Sequence, residues 1–131
     1  MPLKRVICPE RVRRIPSQFS WVDHRLVRDR HIERCDAWAA ELYLFQVTVG
    51  DAQGLSYYSD AALARRLSMD PSRLSQARAD LIRLGLIAYA SPVYQVLSLD
   101  PSTPREPDGM QERLAWLNRL REVLEKHHDQ V

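Results

Sequence analysis

The polar residues recurring at helical spacing between Ser72 and Arg83 are the ones here best suited to chemistry, and that chemistry is recognition rather than catalysis. Ser72, Gln76, Ala79 and Arg83 fall on one helical face, flanked by Arg73, Ser75 and Asp80. A hydroxyl, a carboxamide and guanidinium groups at this spacing can meet base edges and phosphate oxygens in a major groove. Arg5, Arg11, Arg13 and Arg14 form a second cationic group in a stretch broken by Pro2, Pro9 and Pro16. Such a stretch reads as an extended or flexible arm, which can follow a minor groove, or else be a solvated tail or a strap across the domain. There is no glycine-rich phosphate loop, no His-Glu-x-x-His and no Gly-x-Ser-x-Gly, and the carboxylates are scattered over caps and surfaces. The expectation is a protein that is not an enzyme and carries no cofactor. Cys8, His24, His31 and Cys35 could together gather a zinc ion, but their scatter lacks the compact spacing of zinc motifs, so free thiols and no metal are expected.

The elements that must position the recognition face are marked by their ends. Ser59 is placed to cap a helix over Asp60–Leu67, whose alanines favour helix and whose Leu63 and Leu67 give one apolar edge. Ser68-Met69-Asp70 breaks it, and Asp70 with Pro71 starts a second helix that Gly85 stops. Within that helix Leu74, Ala77, Leu81 and Leu84 recur as a buried stripe; Ala64 permits close crossing and Met69 can plug the angle. After Gly85, Leu86–Ala90 and Val93–Leu99 alternate as a hairpin turning at Ser91-Pro92, with Leu55–Tyr57 as a third strand. Tyr57 and Tyr58 read as packing residues rather than platforms for bases.

The run Leu63-Ala64-Arg65-Arg66-Leu67-Ser68-Met69-Asp70, with Leu74, Leu81 and the closing Leu84-Gly85-Leu86-Ile87, resembles the winged helix-turn-helix superfamily of bacterial DNA-binding proteins. Its flavour is that of DnaD-like replication proteins and of accessory proteins of plasmids and insertion elements. The resemblance implies double-stranded DNA as partner, with Ser72, Arg73, Ser75, Gln76 and Arg83 at the groove; the basic arm, with Arg11, Arg13 and Arg14, is expected to add affinity. One departure stands out: the hairpin carries no Lys or Arg, so its tip is expected to contribute little to DNA contact. Asp80 on the recognition face adds repulsion towards phosphate unless it pairs with Arg83 or Arg73.

The remaining chain supplies a scaffold and possible partners. Asp36 begins a helix running to about Val49 that is apolar nearly all round, with Trp38, Leu42, Phe45 and Val49 as its stripe. Such a helix needs cover on two sides. Phe19–Ile32 fits no clean period, and a short helix is expected around Val22–Arg28, packed on the helix that follows. Residues 100–109 read as a Pro-rich linker, and 110–128 as an amphipathic helix with Met110, Leu114, Leu117, Leu120 and Leu124 in line. That helix either dimerises or folds back, and the expected interface set is Trp38, Leu42, Phe45, Leu114, Leu117, Leu120 and Leu124.

The expected fold is therefore mainly α with a small β-hairpin wing: a basic arm over 1–17, a winged helix-turn-helix over 18–99, the linker and the C-terminal amphipathic helix. The net charge is only +2, but residues 1–34 carry nine Lys/Arg against four Asp/Glu, which concentrates the basic character in the arm. Of 19 cations 17 are arginine, a bias that suits bidentate phosphate or guanine contacts and that a GC-rich genome also produces. Met1–Arg14 has no apolar signal core and no segment is long enough to span a bilayer, so a cytoplasmic protein is expected. Two functions fit: a dimeric double-stranded DNA binder in transcription regulation or in replication and mobile-element maintenance, or a docking module in a replication or transposition complex.

Overall fold

The computed structural model describes residues 3–100, 114–115, 117–119 and 121–122. The chain divides into two compact units, Met1–Leu99 and Asp100–Val131. The first is mainly helical with a small antiparallel sheet: α1 (Arg25–Arg28), α2 (Ala37–Val49), β1 (Leu55–Tyr57), α3 (Asp60–Leu67), α4 (Pro71–Arg83), β2 (Ile87–Ala90) and β3 (Val93–Val96). The sheet order is β1-β3-β2, with Ser56 opposite Tyr94 and Tyr89 opposite Tyr94 on the other side.

Caps fix the pair α3–α4. Ser59 accepts from the Ala62 amide at 3.1 Å and Asp70 from the Arg73 amide at 2.7 Å. Ser68, at φ 53°, turns the chain out of α3 while the Met69 amide reaches back to the Ala64 carbonyl at 3.0 Å. At the far end of α4 Gly85 takes φ 73°; its amide donates to Ile82 and the Leu86 amide to Leu81, both at 3.0 Å. That is a Schellman closure, and it needs a left-handed residue where Gly85 stands. The helices bury Leu63, Leu67, Leu74, Ala77 and Leu81 over Met69, Leu86, Ile87 and Tyr94. Leu84, expected at the end of the stripe, is half-buried.

Helix α2 differs from the expected orientation. Asp36 caps it through the Ala39 amide at 2.7 Å, but its sunken face is Ala39, Leu42 and Gln46, while Trp38 is 37% exposed. Ala39 lacks bulk and faces the core, where α2 packs chiefly against α4. Gln46 is drawn inward because its Oε1 accepts from the Ser56 hydroxyl of β1; its Nε2 has no partner among the described residues. Phe45 packs edge-on against Tyr58 with ring centroids 5.0 Å apart, whereas Tyr57, expected to pack, is 73% exposed on the edge strand.

The segment before α2 holds one helical turn, Arg25–Arg28, rather than a helix from Val22, and Leu26 is its buried anchor. Asp23 accepts from the Arg25 amide at 2.9 Å and from its guanidinium at 2.7 Å. The Arg25 guanidinium and amide together hold the Asp23 carboxyl at about 2, below its ordinary 3.8. Because the folded value is depressed, this contact contributes above pH 3.8 and is lost as pH falls through about 2. A carboxyl NMR titration is expected to give Asp23 a midpoint near 2 and to show Arg25–Arg28 loosening over that window; a midpoint at 3.8 removes the contact.

The arm is exposed from Leu3 to Ser20 apart from a half-buried Cys8, with one 3₁₀ turn at Pro9–Arg11. In the second unit, residues 114–115, 117–119 and 121–122 are helical, and Leu114 and Leu117 are exposed. The rest of the helix expected over 110–128, with Leu120 and Leu124, and the linker beyond Asp100 lie outside the described residues. Among the described residues no helix is long and apolar enough to cross a membrane.

Candidate nucleic-acid interface

Anchoring α4 by Leu74, Ala77 and Leu81 turns Ser72, Gln76, Ala79 and Arg83 outward, and all four are exposed, as are Arg73 and Ser75. Asp80 lies among them and is not idle. Its Oδ1 accepts from Gln76 Nε2 at 3.1 Å and lies 3.6 Å from an Arg83 guanidinium nitrogen. The carboxylate thus offsets charge on this face and steers the two side chains best able to read a base edge. Arg83 is 67% exposed in this pair, so a stronger anion can claim it at small cost.

The other candidates at the helix start are more constrained than their spacing suggested. The Arg73 guanidinium sits 5.0 Å over the Trp38 ring, so it lies against the start of α2 instead of beside Asp80. An anion site built from amides at the start of α4 does not form: Pro71 has no N–H, and the Arg73 amide is taken by Asp70, whose carboxylate repels phosphate. Ser72 remains there with its own amide and hydroxyl. Arg65 and Arg66, in the last turn of α3, are also exposed; the apolar spacing of α3 marks only Leu63 and Leu67 and gives no sign of them.

Arg78 is the α4 arginine that belongs to the core. Its Nη1 donates to Asp60 Oδ1 at 2.7 Å and to the Tyr94 hydroxyl at 2.9 Å, and its guanidinium lies 4.5 Å over the Tyr89 ring. It ties α3, α4 and the sheet together. The signal was in its position, four residues after Leu74 and three before Leu81, where the stripe calls for an apolar side chain.

Arg5, Arg11, Arg13 and Arg14 are exposed along the arm, and Leu86–Leu99 contains no charged residue. The comparisons are silent. No protein-family model, curated protein sequence or solved structure matches the chain.

The expected partner residues of α2 are redistributed by the fold. Leu42 is 0% exposed and Phe45 is engaged by Tyr58, so both serve the domain's own core, and Trp38 carries Arg73. The free apolar side of α2 is instead that of Ala40, Leu44 and Val47. With Val22, Ile32 and Leu86 it walls a cavity of about 480 Å³. Among the described residues no three His, Cys, Asp or Glu are grouped to hold a metal. Cys8 donates to Glu10 at 3.0 Å and Cys35 faces the His31 carbonyl at 3.8 Å; burial, then the Asp36 and Asp80 charges, pushes the Cys35 thiol up, which makes it a poor nucleophile.

Proposed function

We propose that this chain is a cytoplasmic double-stranded DNA-binding protein of the winged helix-turn-helix type, acting as a dimer in transcription regulation or in replication and mobile-element maintenance. The observation that carries this reading is the outward polar face of α4, where Ser72, Gln76 and Arg83 stand exposed on a helix whose opposite side is locked into the core. In the major groove Arg83 pairs with guanine and Gln76 with adenine, Asp80 presetting both. Ser72 and Ser75 meet backbone phosphates, Arg73 is stacked at the rim, and the arm adds electrostatic affinity through Arg11, Arg13 and Arg14.

A docking function has an observation in its favour too: the uncharged hairpin and the apolar side of α2 suit a protein partner better than DNA. Titrating a mixed-sequence duplex against salt separates the two. Binding at about 50 mM salt that weakens steeply by about 200 mM supports DNA as the partner, whereas negligible affinity at the lower salt leaves only docking. Arg83→Ala is expected to cost about tenfold on a preferred site and far less on random sequence, the mark of a base-reading side chain.

A further inference from the structure

Beside the cavity on α2, the chain holds up two aromatic side chains that its own domain does not cover. The Ser20 hydroxyl donates to the Thr48 carbonyl at 3.1 Å, pinning this stretch to the end of α2, and Val22 enters the cavity wall. Phe19 and Trp21, the alternate residues, are left 64% and 76% exposed. Trp21 directly precedes Val22 of the cavity wall, so the exposed aromatics stand on the stretch that rims the cavity. The geometry points to a second copy of this chain as the occupant: Phe19 and Trp21 of each protomer enter the cavity of the other about a twofold axis.

Area and charge both favour a self-contact. Phe19, Trp21, Val22, Ile32 and Leu44 are 47% to 76% exposed and present about 600 Å² together, before the half-buried walls are added, against about 800 Å² per partner in a stable interface. In an isologous contact every charge near the axis meets its own like, so the patch must carry little net charge. Glu41 is the one charged residue lining the cavity, and over residues 19–44 four Arg stand against five Asp/Glu, with Asp23 and Arg25 paired at 2.7 Å and Arg28 and Asp29 at 3.8 Å. A nucleic acid or a strongly charged peptide meets no large excess of one sign there. An aromatic anchor filling an apolar pocket is the usual centre of binding energy in such interfaces.

This contact deepens the DNA-binding reading by locating its dimer interface, and it is measured without DNA so that the two fail separately. Sedimentation equilibrium of the full chain over about 1–100 μM, a span centred on ordinary micromolar dissociation constants, is expected to show a monomer–dimer equilibrium. Phe19→Ala with Trp21→Ala, and separately Leu44→Lys, are each expected to weaken it at least about thirtyfold. All three side chains are exposed, so both variants should melt close to the wild type. A monomer at every concentration overturns the proposal, as does a dimer unaffected by either folded variant, which would place the interface elsewhere, the C-terminal segment included.

Discussion

Replacing Arg5, Arg11, Arg13 and Arg14 together by alanine is expected to lower affinity for duplex DNA by about a hundredfold at low salt and to flatten its salt dependence by about three to four slope units. All four side chains are exposed on a stretch that lies clear of the core. The change therefore leaves the fold intact, and the thermal midpoint should not move. The magnitude follows from counterion release, since each neutralised phosphate contributes a slope of about −0.9 whatever the sequence. The loss should accordingly be the same on preferred and random duplexes, in contrast to Arg83→Ala. Binding isotherms at three or four salt concentrations measure both quantities. A slope equal to that of the wild type assigns the arm no DNA contact and leaves α4, with Arg65 and Arg66 of α3, as the cationic part of the helix pair that meets DNA.

The parts of this chain that were legible in sequence are those where one residue dictates the backbone. Ser59, Asp70-Pro71 and Gly85 each satisfy or release a helix end, so the bounds of α3 and α4 followed from residue type. Leu55–Tyr57 and the hairpin at Ser91-Pro92 followed from alternation between turn signals. The rotation of α2 did not, because a helix apolar on every side offers no preferred face. Its orientation was set by Ala39 in the core and by the Gln46–Ser56 bond, a pairing of residues distant in pattern. Phe19–Ile32 was opaque for a related reason: it buries only Leu26, and its other apolar side chains line a cavity or face solvent. On the outward face of α4, spacing identifies which residues point outward but not which are already engaged. Arg73 is drawn to Trp38 and Gln76 to Asp80, contacts governed by rotamers and neighbours rather than by period.

Arg78→Met is expected to destabilise the domain by about 2–3 kcal/mol, the larger part from Tyr94. The Tyr94 residue is 0% exposed and its hydroxyl accepts from Arg78 at 2.9 Å, so truncating the donor strands a buried oxygen. The ion pair itself contributes less. Arg78 is only 15% exposed but Asp60 is 56% exposed, and a carboxylate with that much access to water regains hydration when its partner leaves. Stacking over Tyr89 at 4.5 Å supplies the remainder. For a domain of about 100 residues this lowers the thermal midpoint by roughly 10–20 °C. Single changes at the partners rank the contributions: Asp60→Asn should cost less than about 1 kcal/mol because solvent replaces the charge. Tyr94→Phe removes the orphan along with its bond, so adding it to Arg78→Met should recover about 1 kcal/mol relative to Arg78→Met alone. Urea unfolding of the four variants measures the ranking. Should Arg78→Met melt with the wild type and instead lose DNA affinity, Arg78 would belong to the recognition surface and the buried cluster would not be what joins α3, α4 and the sheet.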